Sequence, residues 1–299
     1  MIKIILTFIL LVYCQLKATF SIVAIDTLTG QIGSAGASCI SNSIIISDML
    51  PGIGVIHTQS YWNEINQDSA GNLMEQGYSP QEIIDWLVNN DAENNPSIRQ
   101  YGIISHFEGG SRSAYTGENC FDYKSHILGP NYSIQGNILL NQSVLDSMEY
   151  AFVNSTGNFE DKLFSALMAA NIAGADSRCA PYGTPAISAF IRVAKIYDST
   201  DSLYLDINVP NAPLTINPLD SLYNLFWDWK IVQFQVGDVN TDGALNIYDL
   251  LLIGDILDEN QTLSNSLEHI ADLNGNEEIE LTDIYLLLYL SLIHISEPT

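Results

Sequence analysis

Thr19 lies where an apolar leader gives way to a strand-like segment, and this position could make it reactive. Residues 1–18 contain Lys3, the apolar run IILTFILLVYC and the small residue Ala18, which together are typical of a secretory signal peptide. We expect cleavage after Ala18, which would make Thr19 the first residue of an exported, extracellular chain.

A threonine at a free N-terminus carries its own general base. The α-amine has a pKa of about 7.7–8.0, so its uncharged fraction near neutral pH can accept the proton of the adjacent hydroxyl. The sequence therefore predicts that Thr19 can attack an amide carbonyl. The alternative is that Thr19 only begins an edge strand, since threonine is common in strands.

Four polar side chains in two other segments could assist this reaction. His57 and Gln59 are two residues apart in the β-run GIGVIHTQ, so they point the same way and could relay a proton or hold a carbonyl. Gln135 and Asn137 in YSIQGN could donate hydrogen bonds to a substrate amide or an oxyanion. The alternatives are a structural histidine and a polar turn.

The segment GADSRC adds a possible anion-binding pair. Asp176 and Arg178 lie in this loop, and the planar guanidinium of arginine suits a carboxylate or amide substrate. A structural ion pair is the alternative. Cleavage would leave Cys39, Cys120 and Cys179, and export favours one disulfide bond. We predict a bond between Cys120 and Cys179, because both lie in loop-like segments.

Two acidic repeats near the C-terminus carry oxygen ligands at the spacing of a calcium loop. The first repeat has glycine at position 6, where such a loop turns sharply, whereas the second has Glu277 there. We expect two calcium sites with these side-chain ligands: Asp238, Asn240, Asp242, Asn246 and Asp249 in the first, and Asp272, Asn274, Asn276, Glu280 and Asp283 in the second.

Charge and composition limit the partners and the domain count. The 299 residues are 47% hydrophobic and carry a formal net charge of −25, which excludes nucleic acid and anionic membrane surfaces as partners. Residues 237–299 contain 13 acidic residues and no Lys or Arg. No apolar run is long enough to span a bilayer. We therefore expect a large domain over residues 19–236 and a small calcium-binding domain over 237–290.

The periodicity of apolar residues predicts the elements that position these side chains. Helical periods cover 79–91, with Ser79 as N-cap, and also 141–155, 158–174 and 218–234. Strand-like runs occur as two hairpins, 19–38 and 99–117, and as single runs at 52–59, 185–196 and 202–209. This order indicates an α+β fold with antiparallel sheet, since βαβ repeats are missing.

Residues 19–232 resemble the family catalogued as domain of unknown function 1028. The matching stretches include TFSIVAIDTLTGQIGSAGAS, GYSPQEIIDWL, YSIQGNIL and GADSRCAPYGTPAISAFIRVA, in this order along the chain. The resemblance implies a four-layer αββα sandwich like that of N-terminal-nucleophile hydrolases.

Residues 237–290 are similar to a type I dockerin, a small all-α domain with paired calcium loops that docks to a cohesin on a scaffold protein. Positions 10 and 11 of the loops, which that family uses for recognition, are here Ile247-Tyr248 and Leu281-Thr282. The tail 291–299 resembles a translated sequencing adapter, and we expect it to break the last helix.

Together these features predict a secreted amidohydrolase or peptidase-like enzyme that cleaves a small amide or peptide substrate with Thr19. Its calcium module would bind a cohesin-type scaffold protein. One alternative is a non-catalytic secreted binding protein on the same fold, with Asp176 and Arg178 as ligand contacts. The other is a calcium-dependent docking subunit of an extracellular complex.

Overall fold

The computed structural model describes residues 19–233, 237–258, 270–274 and 278–295. These residues form two compact units, which divide between Leu222 and Tyr223. The division lies N-terminal to the boundary predicted after Val236, and Val236 itself lies outside the described residues. The expected leader, residues 1–18, also lies outside them.

The first unit contains a six-stranded antiparallel sheet. It is built from β1 (Thr19–Ile25), β2 (Ile32–Ser38), β7 (Ser125–Leu128), β8 (Tyr132–Asn137), β9 (Ser188–Ala194) and β10 (Leu205–Val209). The strand order is β10-β9-β2-β1-β8-β7. The predicted hairpin of β1 and β2 is confirmed, with Phe20 opposite Ala37 and Ile25 opposite Ile32. Thr19 therefore begins a central strand and not an edge strand.

A second antiparallel sheet of four strands packs against the first. It contains β3 (Ser47–Leu50), β4 (Gly54–Ser60), β5 (Arg99–Ser105) and β6 (Ser111–Thr116), in that spatial order. One apolar cluster, including Val23 and Ile25 of the first sheet and Val55 and Ile104 of the second, joins the two. The predictions of α+β structure and antiparallel pairing are confirmed.

Two helices, α1 (Glu64–Glu75) and α2 (Pro80–Asn89), pack on the four-stranded sheet. Their apolar side chains share a buried cluster with Ile56, Tyr101 and Ile103 of the strands. The predicted start of α2 is confirmed, because Ser79 and Glu82 form a reciprocal capping box. Helix α1 was not predicted from the sequence.

Two further helices, α3 (Ser143–Asn154) and α4 (Phe159–Ala169), pack on the six-stranded sheet. Helix α4 lies directly over β2, where Gly33 allows the close approach. A Cβ atom at Gly33 would lie 2.1 Å from Leu163 Cδ1 and 2.8 Å from Phe159 Cε1. The first unit therefore has helices on both sheets.

The second unit is helical. Helix α5 (Pro218–Gln233) crosses the division between the units, and α6 (Ile247–Leu257) and α7 (Leu281–Ile295) come after it in the chain. Lys230 of α5 is buried. The core includes Val239, Ile253, Ala271 and Leu287.

The prediction that the tail 291–299 breaks the last helix is wrong for residues 291–295. Helix α7 continues to Ile295, because this apolar stretch contains no glycine and reaches its first proline only at Pro298. Within the described residues, no helix combines the length and hydropathy needed to cross a membrane.

Candidate functional site

Thr19 lies opposite Asn137 at the start of the central strand β1. The two residues are direct partners in the antiparallel pairing of β1 with β8, so their side chains point to the same face. Both residues are buried. The hydroxyl Oγ1 of Thr19 and the amide oxygen Oδ1 of Asn137 have no hydrogen-bond partner in the described structure. Two buried polar atoms on directly opposed residues are thus left unsatisfied, which is costly unless a further group joins them.

The side-chain amide of Asn137 is held in one orientation by Gln100. Asn137 Nδ2 donates to Gln100 Oε1 at 3.0 Å. The other end of the Gln100 amide, Nε2, donates to the carbonyl oxygens of Gly136 at 2.9 Å and Ser125 at 3.0 Å. Neither amide can flip without losing these bonds. One N–H of Asn137 is therefore engaged and its oxygen has no partner, and its predicted role as an oxyanion donor stays a prediction.

Gln135 and Asn137 belong to a strand, so the polar turn proposed for YSIQGN is wrong. Strand β8 turns Ser133, Gln135 and Asn137 toward the four-stranded sheet, and Tyr132 and Ile134 alternate with them. Gln135 Nε2 donates to Ser21 Oγ at 2.8 Å, and its Oε1 accepts from Ser133 Oγ at 2.7 Å.

Gly102 on the facing strand β5 makes room for the side-chain amide of Gln135. A Cβ atom at Gly102 would lie 2.0 Å from Gln135 Oε1.

His57 is the centre of a buried polar network between the sheets. Its Nδ1 lies 2.9 Å from Ser21 Oγ and its Nε2 lies 2.6 Å from Ser34 Oγ. The Ser21 hydroxyl donates to Gln59 Oε1 at 2.7 Å, so it accepts from the imidazole. His57 therefore carries its proton on Nδ1 and accepts from Ser34 at Nε2.

Burial keeps this imidazole uncharged. Desolvation, and then the charge of Arg192, lower the pKa of His57 to about 3. With both ring nitrogens engaged and the ring neutral, the geometry favours the structural role over the predicted proton relay.

Gln59 links this network to Gln100. Its Nε2 donates to Gln100 Oε1 at 2.7 Å, next to the bond from Asn137. Gln59 and Gln135 are both buried between the sheets, where they brace the strands, and their predicted role in substrate binding stays a prediction. The sequence analysis missed Gln100. Its only signal there was a polar residue next to Arg99 in the strand segment RQYGII.

Asp176 and Arg178 form an ion pair, and their predicted role in substrate binding stays a prediction. Asp176 Oδ2 accepts from Arg178 Nη2 at 2.8 Å and from the Cys39 amide at 2.7 Å. The carboxylate is fully buried, whereas the Arg178 side chain is 24% exposed. The pair ties its loop to the end of β2, next to the start of β1.

The predicted disulfide pairing is wrong. Cys39 bonds to Cys179, with their Cα atoms 5.7 Å apart. The hydrogen bond from the Cys39 amide to Asp176 brings the loop of Cys179 to the end of β2. Cys120 is a buried free thiol whose Sγ donates to the Arg99 carbonyl oxygen at 3.2 Å.

The backbone is strained directly after two residues of the buried polar network, Asn137 and Gln59. Ile138, which comes after Asn137, has φ of +52°, and Ser60, which comes after Gln59, has φ of +72°. A left-handed conformation costs roughly 1–2 kcal/mol for a residue with a Cβ atom, and a β-branched residue is rarely found there. Such strain concentrates at functional sites.

The first acidic loop of the second unit has a chemistry that fits a hard cation. Asp238 and Asp249 are buried, and Gly243 takes φ of +83° at the expected turn. Burial, and then the charge of Asp249, raise the pKa of Asp238. No Lys or Arg occurs in residues 237–299 to offset this charge. Oxygen donors in such a loop are the ligands that calcium takes.

Backbone amides already shape this loop. Asp249 accepts from the amides of Asn240 at 3.0 Å and Asn246 at 2.9 Å, and Asp238 accepts from Gly243 at 2.9 Å. Asp242 accepts from the side-chain amide of Asn240 at 3.0 Å. No three His, Cys, Asp or Glu side chains in the described residues form a ready metal cluster.

The second loop is described in part. Asp283 is buried and accepts from the amides of Leu273 at 2.8 Å and Glu280 at 2.8 Å. Asn274 donates to Glu280 at 3.2 Å. Asp272 is partly buried at the start of the loop. The predicted ligand Asn276 lies outside the described residues.

Comparisons with known proteins match two family models to the chain, one over the sheet-containing part and one over the acidic loops. The model of the family of unknown function DUF1028 matches residues 19–219, and that of the dockerin type I domain matches residues 236–288. The dockerin match supports calcium as the ion of the acidic loops. No curated protein matches the chain.

One solved structure gives a likeness of fold. It is the crystal structure of protein SPO2555 from Silicibacter pomeroyi, described with the same DUF1028 family model. The likeness has a TM-score of 0.59 at 24% identity and covers 71% of this chain and 88% of that one. Since the DUF1028 model spans about two thirds of the sequence and a dockerin type I domain comes after it, the chain belongs to the DUF1028 family.

Proposed function

We propose that the first unit is an amide hydrolase whose nucleophile is Thr19, activated when cleavage after Ala18 frees its α-amine. The observation that carries this proposal is the pair of buried, unsatisfied atoms, Thr19 Oγ1 and Asn137 Oδ1, on directly opposed residues. The Thr19 hydroxyl has no fixed partner, and the proposal requires that cleavage after Ala18 also opens this buried atom to substrate. The unpartnered oxygen on the opposed residue Asn137 can receive a new donor.

The freed amine supplies that donor. Asn137 Oδ1 accepts one N–H of the amine and so directs the nitrogen lone pair of Thr19 toward its own hydroxyl. As Oγ1 attacks a substrate carbonyl, the amine takes the hydroxyl proton and then passes it to the leaving nitrogen. The C–N bond breaks, an ester forms on Oγ1, and water hydrolyses that ester to release the acid.

The arrangement of layers supports the same function. Helices lie on the outer faces of two antiparallel sheets that pack on each other, and β1 occupies the centre of the larger sheet. We propose that these layers form the four-layer αββα sandwich of N-terminal-nucleophile hydrolases. In that architecture a nucleophile at the start of a central strand is held by its neighbours on both sides.

The second unit is proposed to bind two calcium ions and to dock on a cohesin-type scaffold outside the cell. The first site would use the oxygen ligands around Asp238 and Asp249, and the second those around Asp283, with Asn276 as the ligand outside the described residues. Export through the leader would bring both units to the compartment where the Cys39–Cys179 disulfide persists.

The decisive experiment begins with the mature N-terminus. The full chain is expressed in a secreting host, and its intact mass and N-terminal sequence are determined. Periodate cleaves a 1-amino-2-alcohol, so after unfolding it converts an N-terminal Thr19 to an aldehyde and releases acetaldehyde and ammonia. A chain that starts elsewhere, or that resists periodate, contradicts the proposal.

Hydrolysis is then measured against a panel of small amides and peptides. Thr19→Ala should abolish turnover at an unchanged melting temperature, and Thr19→Ser should retain part of it. Thr156→Ala, which alters an exposed threonine, is the matched control and should keep full activity. Turnover that persists in Thr19→Ala would assign the nucleophile elsewhere.

A further inference from the structure

A cavity of about 770 Å³ opens at the other end of the first unit from Thr19. Its wall includes Asp26, which comes directly after β1, whereas Thr19 is the first residue of that strand. Seven residues of extended chain span roughly 20 Å, so the cavity is separate from the proposed nucleophile. Its volume is typical of sites for small organic ligands.

Aromatic side chains form the apolar part of this cavity. Tyr132, Phe152 and Phe159 line it, and each is at most 5% exposed. The rings of Tyr132 and Phe152 pack edge to face, with centroids 5.1 Å apart. Leu28 and Val153 also line it and are largely exposed. This wall favours a ligand with an aromatic or branched apolar body.

The cavity also brings together two cations in a strongly acidic chain. Lys162 and Lys195 line it, and neither forms a salt bridge within the described residues. The Lys195 ammonium lies 3.6 Å from the ring centroid of Tyr204, which holds it at the wall.

The acidic side chains of the cavity are occupied by internal contacts. Asp26 accepts from the Leu28 amide at 3.0 Å and from the Thr29 hydroxyl at 2.8 Å. The buried Glu160 carboxylate accepts from the Tyr204 hydroxyl, and burial, followed by the charge of Glu160, raises the pKa of that phenol to about 12. Both carboxylates therefore have internal donors, whereas the two ammonium groups have no carboxylate partner within the described residues.

We infer that this cavity is a binding site for a small organic anion, such as a carboxylate, that carries an aromatic or branched apolar body. The anion lies against Lys162 and Lys195, and the body packs on Phe152 and Phe159. A free acid and the C-terminus of a short peptide share this chemistry. The site works independently of Thr19.

The test measures binding by isothermal titration calorimetry to the full mature chain. The probes are 3-phenylpropanoate, the uncharged 3-phenylpropan-1-ol and acetate. We expect saturable binding of the phenylpropanoate, at least about tenfold weaker binding of the alcohol, and no detectable binding of acetate alone. Added salt should weaken the binding of the acid. Equal affinity for the acid and the alcohol would overturn the inference.

Charge variants locate the site. Lys162→Gln and Lys195→Gln should each weaken phenylpropanoate binding about threefold, and the double variant about tenfold. Arg112→Gln removes an exposed cation outside the cavity and should leave the affinity unchanged. Thr19→Ala should also bind normally, which separates this site from the proposed hydrolase. An unchanged affinity in the double lysine variant, or binding that does not saturate, would contradict the inference.

Discussion

Asn137 is the residue that most directly sets the behaviour of the proposed nucleophile. Its oxygen has no partner and belongs to the residue directly opposite Thr19, and one N–H of its amide is held by Gln100. A carboxylate placed there would favour the protonated α-amine.

Asn137→Asp is therefore expected to raise the pKa of the α-amine by about 1–3 units, in the direction that an adjacent negative charge imposes. The pH dependence of acetylation of the N-terminal amine, followed by mass spectrometry, measures this shift. Glu118→Gln, which alters an exposed carboxylate elsewhere, should leave the titration unchanged. An unshifted amine in Asn137→Asp would mean that Asn137 does not face the freed N-terminus.

His57 should make the first unit sensitive to acid. The unfolded chain protonates this imidazole near pH 6.5, but the folded chain does so only near pH 3, because the ring is buried. The unfolded state therefore binds more protons between these values, and stability falls as the pH falls from 6.5 toward 3. The contribution of this one group is at most about 1.4 kcal/mol per pH unit.

The variant His57→Gln removes that contribution. Free energies of unfolding by urea, measured at several pH values from 7 to 4, should fall less steeply for the variant than for the parent. The variant should also be less stable at pH 7, since Ser21 and Ser34 lose a buried partner. If stability falls equally steeply with pH in the variant and the parent, His57 is not the source of the acid sensitivity.

At the scale of elements, the sequence predicted the features that depend on local periodicity. The β1–β2 hairpin and the capped start of α2 appeared where expected, because apolar alternation and the Ser79–Glu82 pattern are local signals. Strand β8 was missed because its polar side chains point into the interior between the sheets. Burial there depends on pairing with β1, which is distant in sequence.

The difference between local signals and long-range contacts also explains which features of the site could be predicted. The sequence marked Thr19, His57 and Gln135 as chemically notable, but their hydrogen bonds depend on strands that only the fold brings together. Gln100 carries no local signal, although it holds Asn137. The disulfide was mispaired for the same reason, since Cys39 and Cys179 are 140 residues apart and meet only through the Asp176 loop.

The packing of α4 on β2 gives a prediction at this scale. Gly33→Ala would place a methyl group 2.1 Å from Leu163 Cδ1, so the helix or the strand must shift. We expect a loss of about 1–3 kcal/mol in the free energy of unfolding. Gly254→Ala, at an uncrowded position inside α6, is the control and should not destabilise the chain. Urea titration measures both, and an unaltered stability in Gly33→Ala would contradict the close contact.

At the scale of the whole molecule, the second unit should depend on calcium. Its buried carboxylates lie in a segment without Lys or Arg, so a bound cation removes their mutual repulsion. Calcium at 100 times its dissociation constant would stabilise the folded unit by about 2.7 kcal/mol. We expect calorimetry of the full chain to show one transition that moves to higher temperature with calcium and returns with a chelator.

Asp249→Asn tests the ligand assignment in the same experiment. This change removes a buried carboxylate from the first loop and should reduce the calcium-dependent shift. Asp255→Asn, on the exposed face of α6, removes the same charge and should preserve the shift. If both variants respond to calcium like the parent, the first loop is not the site that stabilises the unit.

The burial of Lys230 bears on how long the two units remain joined. Proteases of the trypsin type cut after lysine or arginine, and the sequence from 231 to 299 offers them neither. The last such position is Lys230, which is enclosed and lies within the helix α5. A protease of the trypsin type would therefore have to unwind this helix before it could cut at Lys230. The last trypsin-type cleavage position before the calcium-binding loops is in this way withheld from proteases of that class.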